Sequence, residues 1–321
     1  MNAPLKVAVV GTGIMGSNHV RVMGQLLDVE LVAVVDADLD RAKAAGLKSG
    51  ARACASIDDL PSDVEAAVIA VPTSLHLETA ITLVGRGISV LVEKPLAATV
   101  ADAQRIIEAA ATAGVVLAVG HVERFNPAVA ELTALVTDPI HISASRISPY
   151  SPRISDGVVF DLMIHDIDIV CSLAAADDEM VSVSGVGRQV RADSEDLASV
   201  ALTFESGLTA SFMTSRLGQQ KIRAIEVTQL DSVVSADLVR SDVTIHRMTH
   251  HEYLGESGVT YRQSSVVEIP FIQNRGEPLV LEAQDFVAAV RSGGRPRVTG
   301  SDALRAVTIA TAIVESLRIS R

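Results

Sequence analysis

Three groups of residues in this chain have the types and spacing that chemistry uses. The first is Lys94, in Glu93-Lys94-Pro95, directly after the apolar run Ile88-Ser89-Val90-Leu91-Val92. A lone lysine is ordinarily a solvated surface ammonium. One bracketed by an acid and a proline at the end of a buried strand is instead held at a ligand-binding edge. The second group lies in Phe160-Asp161-Leu162-Met163-Ile164-His165-Asp166-Ile167-Asp168-Ile169-Val170. On a helix, Asp161, His165 and Asp168 stand at i, i+4 and i+7, within an arc of roughly 60°. Their neighbours are almost all Leu, Met, Ile and Val, so the helix should be buried and its polar stripe needs partners. The bland alternative is a structural His–Asp pair satisfied in the core. The functional one is a histidine oriented by a carboxylate and facing Lys94 for proton transfer. Asp166 falls on the opposite side, a structural position.

The third group is Gly11-Thr12-Gly13-Ile14-Met15-Gly16. A glycine-rich turn alone says little. Here the apolar run Leu5-Lys6-Val7-Ala8-Val9-Val10 precedes it and helix-forming residues 17–27 follow. A second apolar run, residues 30–35, ends at Asp36, twenty residues after Gly16. In that setting Gly11 turns the chain, Gly13 admits a pyrophosphate and Gly16 lets helix and strand pack. The helix N-terminus faces the phosphates. Asp36 is placed to accept both ribose hydroxyls of an adenosine and to repel a 2′-phosphate. No Lys or Arg follows it before Arg41, so NAD is expected in preference to NADP.

These groups need a frame. Short apolar runs at 66–71, 88–92 and 115–119 alternate with helical stretches, the pattern of a parallel sheet with right-handed crossovers. Ser74 and Thr99 are expected helix N-caps. Residues 1–121 are therefore expected to form a doubly wound α/β domain. Ligands of such sheets bind beyond the strand ends, which points to the loops at 11–16, 72–76, 93–95 and 120–126. His76 in the second loop either flanks a nicotinamide or decorates a helix N-terminus. From about residue 140, strand-like runs joined by tight turns predict an α+β domain over 122–321 with an open, mostly antiparallel sheet. Residues 279–291 and 301–317 read as closing helices of that domain, and 246–263 as a polar excursion. One face of so large a sheet needs a cover, and a homodimer or homotetramer is the simple one.

The 321 residues carry a net charge of −12 with no Lys/Arg cluster, which excludes a nucleic-acid footprint. Cys54 and Cys171 lack metal spacing, so no metal site is expected and the compartment is read as reducing. No apolar run is long enough to cross a membrane, and a strand pattern starting at Leu5 leaves no room for a signal peptide. A cytoplasmic location is the expectation.

With these elements placed, the chain resembles the glucose-fructose oxidoreductase / inositol dehydrogenase / MocA family along essentially its whole length. The resemblance rests on the glycine loop, on Val71-Pro72-Thr73 with His76, on Glu93-Lys94-Pro95-Leu96, and on Asp161 four residues before His165. It implies an N-terminal Rossmann domain that binds a nicotinamide cofactor through Gly11, Thr12, Gly13, Ile14, Met15, Gly16, Asp36, Val71, Pro72, Thr73, His76, Glu93 and Lys94. It also implies a C-terminal domain whose open antiparallel sheet serves oligomerisation. Lys94, Asp161 and His165 match the family's catalytic residues, and Glu93 an acid near the nicotinamide ribose or carboxamide. The stretch Val119-Gly120-His121-Val122-Glu123-Arg124-Phe125-Asn126-Pro127 resembles the UDP-N-acetylglucosamine 3-dehydrogenase branch. The chain departs from the family's usual glycine pair before the aspartate, reading Ser155-Asp156-Gly157-Val158-Val159-Phe160.

The implied reaction is reversible hydride transfer from a sugar hydroxyl. His165 takes the proton, Lys94 hydrogen-bonds the oxygen, and Asp161 orients His165. Arg124 and Asn126 are candidate substrate contacts, with Arg146 and Arg153 as further phosphate partners. The alternatives are an inositol or free-sugar dehydrogenase, an NAD-dependent glycosidase and a non-catalytic NAD(H)-responsive regulator.

Overall fold

The computed structural model describes residues 3–151, 156–255, 258–272 and 276–320. They divide into two compact units, Met1–Phe125 with Gly276–Thr311, and Asn126–Arg275 with Ala312–Arg321.

In the first unit the chain runs β1 (Leu5–Val10), α1 (Ile14–Met23), β2 (Val29–Val35), α2 (Leu39–Ser49), β3 (Arg52–Cys54), β4 (Ala66–Ile69), α3 (His76–Val84), β5 (Ser89–Glu93), α4 (Val100–Ala113) and β6 (Leu117–Gly120). The six strands are parallel, in the order β3-β2-β1-β4-β5-β6. They are buried on both faces, so they read as continuous apolar runs. Along β1, Ala8 and Val10 face one core with α3 and α4, while Val7 and Val9 face the other with α1 and α2. This is the expected doubly wound Rossmann sheet. Thr99 caps α4 by accepting the Asp102 N–H. Ser74 does not cap α3; it lies inside a 3₁₀ turn, Thr73–Leu75, and the helix starts at His76.

The second unit holds α5 (Pro127–Leu135), β7 (His141–Ile147), a π-helical turn (Val159–Met163) that leads into α6 (Ile164–Leu173), and strands β8 (Met180–Arg188), β9 (Leu197–Phe204), β10 (Thr209–Ser215), β11 (Ile222–Thr228), β12 (Ser232–Asp237), β13 (Asp242–Gly255) and β14 (Gly258–Glu268). After α7 (Pro278–Ser292) and α8 (Gly300–Ser316), β15 (Leu317–Ser320) returns to the same sheet. Its nine strands run β14-β13-β12-β11-β7-β10-β9-β8-β15. Most pairs are antiparallel, but β7–β10 and β8–β15 are parallel, because helical connections rather than tight turns separate those strands in the chain. The sheet is one-sided. Ala198, Val200, Leu202 and Phe204 of β9 are buried, while Val181, Val186 and Met213 stand on exposed positions.

Two expectations change. Residues 246–263 are not an excursion: the β13–β14 ladder runs from Ile245↔Glu268 to Gly255↔Gly258, with polar sequence carried on a long hairpin. The closing helices do not group with the second domain alone, nor does the first end at residue 121. A 3₁₀ turn, Val122–Phe125, belongs to the first unit, as do α7 and most of α8. The reason is packing, since Leu279, Ala283, Phe286 and Val287 of α7 are buried against Leu5, Val7, Val9 and Leu31. Among the described residues no helix is long and apolar enough to cross a membrane.

Phe286→Ala tests that membership. Phe286 is fully buried in this core, and its loss is expected to cost the chain about 3–5 kcal/mol in urea unfolding.

Candidate active site

The glycine loop is built as its spacing suggests. Gly11 has φ +89°, and a Cβ there would lie 2.5 Å from the Ala70 carbonyl oxygen. A Cβ on Gly16 would meet the Gly11 carbonyl oxygen at 1.8 Å, so helix and loop could not close. Gly13 has no atom within 4 Å of its Cβ position, and no side chain caps the helix it begins. The exposed first turn, Gly13, Ile14 and Met15, therefore offers backbone N–H groups and open space, which fits a pyrophosphate.

Asp36 is nearly buried at the end of β2. Its Oδ2 accepts from the Thr12 N–H at 2.9 Å and the Thr12 hydroxyl at 2.7 Å, and its Oδ1 from the Asp38 N–H at 2.9 Å. Arg41 approaches Oδ1 at 3.2 Å. Burial opposes the charge, but the Thr12 hydroxyl, the Asp38 and Thr12 N–H groups and Arg41 together hold the carboxyl below the usual carboxylate range. Asp36 is thus an ionised acceptor that also fastens the glycine loop. Arg41, the first cation after Asp36 in sequence, lies on Asp36 in space.

At the end of β5 the residues from Leu91 to Ala97 are buried except Lys94, which keeps partial exposure. Glu93 holds this turn. Its Oε1 lies 2.7 Å from His19 Nε2 on α1, and its Oε2 accepts the Lys94 N–H at 3.2 Å. Gly120 leaves room for it, since a Cβ there would come within 3.2 Å of Glu93 Oε2. The Glu93 carboxylate is therefore engaged behind the turn. The Lys94–Pro95 peptide is cis. His76 is 1% exposed, with Nδ1 2.9 Å from the Pro95 carbonyl and Nε2 3.0 Å from the Val71 carbonyl. It is a buried tie between two loops rather than an open flank. Val71 and Thr73 are half-buried and Pro72 is exposed.

In the second unit Asp161 and His165 are half-buried, while Ile164, Asp166, Ile167 and Asp168 are sealed. The widened turn at Val159–Met163 breaks the regular i, i+4, i+7 arc, and Asp168 goes into the core. Asp166 is structural, as its position suggests: its carboxylate takes the Arg146 guanidinium at 2.7–3.0 Å, both side chains buried. Glu195 starts the helical segment, its carbonyl accepting the Val158 N–H and its Oε1 the Val159 N–H, each at 3.1 Å. A Cβ on Gly157 would lie 2.0 Å from that oxygen, so the single glycine retained here is the one Glu195 requires.

Of the residues considered for substrate, Arg146 is committed to Asp166, and Arg153 lies outside the described residues. Arg124 is half-buried on the Val122–Phe125 turn. Asn126 is buried and occupied: its Oδ1 caps α5 at the Ala128 N–H, 3.0 Å, and its amide donates to the Leu238 carbonyl at 2.9 Å. Sequence reasoning missed His19, Glu195 and Glu282. Glu282 had a signal, because it falls on the apolar face of α7 with Leu279, Ala283 and Phe286. Its carboxyl oxygens are buried with no hydrogen bond among the described residues. Burial, then the nearby charges of Glu93 and Asp285, push its pKa well above the usual carboxylate range.

The comparisons agree with this frame. Residues 5–121 match the model of an oxidoreductase family with an NAD-binding Rossmann fold, and residues 101–228 that of the GFO/IDH/MocA C-terminal domain. A UDP-N-acetylglucosamine 3-dehydrogenase of Acidithiobacillus ferrooxidans is 30% identical over 288 residues, 89% of this chain and 88% of that protein. The myo-inositol 2-dehydrogenase of Thermotoga maritima is 27% identical over 335 residues, 99% of this chain and 97% of its own. A solved structure of the A. ferrooxidans enzyme superposes with a TM-score of 0.86 at 27% identity, covering 98% of each chain. GenD2 from gentamicin A biosynthesis, solved in complex with NAD, gives 0.83 at 25% identity over 98% of this chain and 95% of that one.

Glu282 carries a pH prediction. Its folded pKa is raised, whereas in the unfolded chain it ionises near about 4.3. Its stabilising contribution is complete below that pH and is lost as pH rises towards the folded value, at about 1.4 kcal/mol per pH unit. Glu282→Gln is therefore expected to flatten the fall of Tm as pH rises above about 4.3. A slope equal to that of the parent chain would show Glu282 ionised in the fold.

Proposed function

The chain belongs to the GFO/IDH/MocA oxidoreductase family and is an NAD-dependent dehydrogenase acting on CH–OH groups, and from that premise we propose that it oxidises the C3 hydroxyl of a UDP-N-acetyl-hexosamine. Bound NAD supplies the hydride acceptor. Gly13–Met15 and the first turn of α1 hold the pyrophosphate, and Asp36 holds the adenosine ribose. His165 takes the hydroxyl proton as the C–H hydride leaves. Lys94 hydrogen-bonds the same oxygen and balances its developing negative charge, and Asp161 orients His165. The product is the ketone, with the proton on His165.

The observation that carries this chemistry is Lys94 itself. It is the one partly exposed residue in a sealed strand end, gripped from behind through Glu93 and His19. The substrate assignment is supported by the similarity to the nucleotide-sugar dehydrogenase along most of both chains. Arg124 is the group we assign to its phosphates. A cyclitol is the second reading, favoured by the commitment of Arg146 to Asp166, because an inositol needs no phosphate partner. We assign the open face of the nine-stranded sheet, with Val181, Val186 and Met213, to a second copy of the chain.

Lys94→Ala is expected to cut turnover at saturating NAD by about 10²–10⁴-fold, well beyond any loss of calorimetric NAD affinity; undiminished turnover rejects the assignment. NADH formation against UDP-N-acetylglucosamine, free hexoses and inositols selects the substrate. Inositol turnover with no response to the nucleotide sugar moves the conclusion to the second reading.

A further inference from the structure

His76 is where the structure says more than the sequence. Its ring is sealed from solvent, so neither face is open to a ligand. Each ring nitrogen meets a backbone carbonyl: Nδ1 that of Pro95, next after Lys94, and Nε2 that of Val71, after β4. Both carbonyls sit in loops at the binding edge of the sheet, 24 residues apart in sequence. A neutral imidazole donates through one nitrogen only, and the other then points a lone pair at an oxygen. Burial pushes His76 below the usual imidazole range, against the pull of the Val71, Pro95 and Leu96 backbone groups and the charge of Glu93. The ring is therefore neutral at working pH, and its two tautomers do different things. One fastens the lysine turn and the other the end of β4.

We propose that His76 is a positioning residue for Lys94, donating from Nδ1 to the Pro95 carbonyl and so fixing where the lysine turn leaves the sheet. Glu93 and His19 hold the residue before and the N–H of Lys94, and His76 holds the carbonyl after it. Lys94 is thereby pinned on both sides by buried groups that never touch substrate. The role rests on the dehydrogenase reading, because a positioned amine matters only if it acts.

Two isosteres separate this from simple core filling. Asparagine places its amide near the Nδ1 position and glutamine near the Nε2 position. His76→Asn can keep the tie to Pro95 and lose that to Val71; His76→Gln does the reverse. H76N keeps the proposed hydrogen bond to the Pro95 carbonyl and H76Q loses it, so a merely structural role changes Tm and leaves the kinetic parameters parallel. Positioning predicts that the two variants part in kcat. H76Q loses kcat by about 100-fold, the order expected from an ångström of misplacement, and H76N retains it. Equal losses in both variants, or none in either, overturn the proposal. Should H76Q not fold, H76N is compared with H76F, which fills the volume and donates to neither carbonyl. A readout without substrate is the rate of Lys94 modification by trinitrobenzenesulfonate, followed by peptide mass mapping. A changed rate in H76Q but not H76N, in a chain that oxidises none of the sugars, keeps the positioning role and rejects the substrate reading. Unchanged rates in both variants, with sugar oxidation intact, do the opposite.

Discussion

The buried contact between His19 and Glu93 is the joint that ties the first helix of the first unit to the turn after β5. It links α1, whose N-terminus follows the glycine loop, to the end of β5, from which Lys94 emerges. A lysine side chain has four rotatable carbons, so its ammonium is only as well placed as the backbone beneath it. Glu93 provides that placement by receiving the Lys94 N–H with one oxygen and His19 with the other. The glycine loop is fastened in a similar way by Asp36, through Thr12. Two carboxylates, each fixed by a partner far away in sequence, thus hold two of the loops at the carboxyl ends of the parallel strands.

The second unit follows the same logic with different groups. The segment carrying Asp161 and His165 is gripped at its start by Glu195 and from within by the Arg146–Asp166 pair. Pairs of this kind contribute little net stability, because desolvation cancels most of the attraction. Glu282 is costlier still, an acid sealed in the first unit with no hydrogen bond. An apolar residue at that place would stabilise the fold.

What the sequence made legible was local. The glycine loop, Asp36 and Lys94 each sit in or beside one contiguous apolar strand, so their places at the strand ends could be read from position alone. The partners of His19, Glu195 and His76 were not legible, since each makes a contact separated by 19 to 74 residues, and no periodicity encodes which pairs meet. The widened turn at Val159–Met163 was equally hidden, because the apolar pattern around Asp161 suits an ordinary helix as well. Helix α7 read as part of the second domain because it follows that domain in the chain. Its apolar stripe fits the Val7–Val9 face of the first sheet, and complementarity of that sort is visible only in three dimensions.

A scaffold does not name its substrate, so the remaining discrimination has to come from side chains that face it. The chain carries net charge −12 and repels a nucleotide diphosphate at long range. Local cations must reverse that. Of the three arginines the sequence offered, Arg146 neutralises Asp166 in the core, and its burial would make any exchange of partner expensive. Arg153 lies outside the described residues. Arg124 is different in kind. It stands on the short turn after β6, at the binding edge of the parallel sheet, with that turn secured by Arg297, whose guanidinium donates to the Arg124 carbonyl and lies 5.0 Å from the Phe125 ring centre. An arginine whose backbone is fixed and whose side chain is only half-buried is suited to a bidentate grip on phosphate. Arg124 is therefore the position at which a phosphate-bearing substrate and a cyclitol would make different demands.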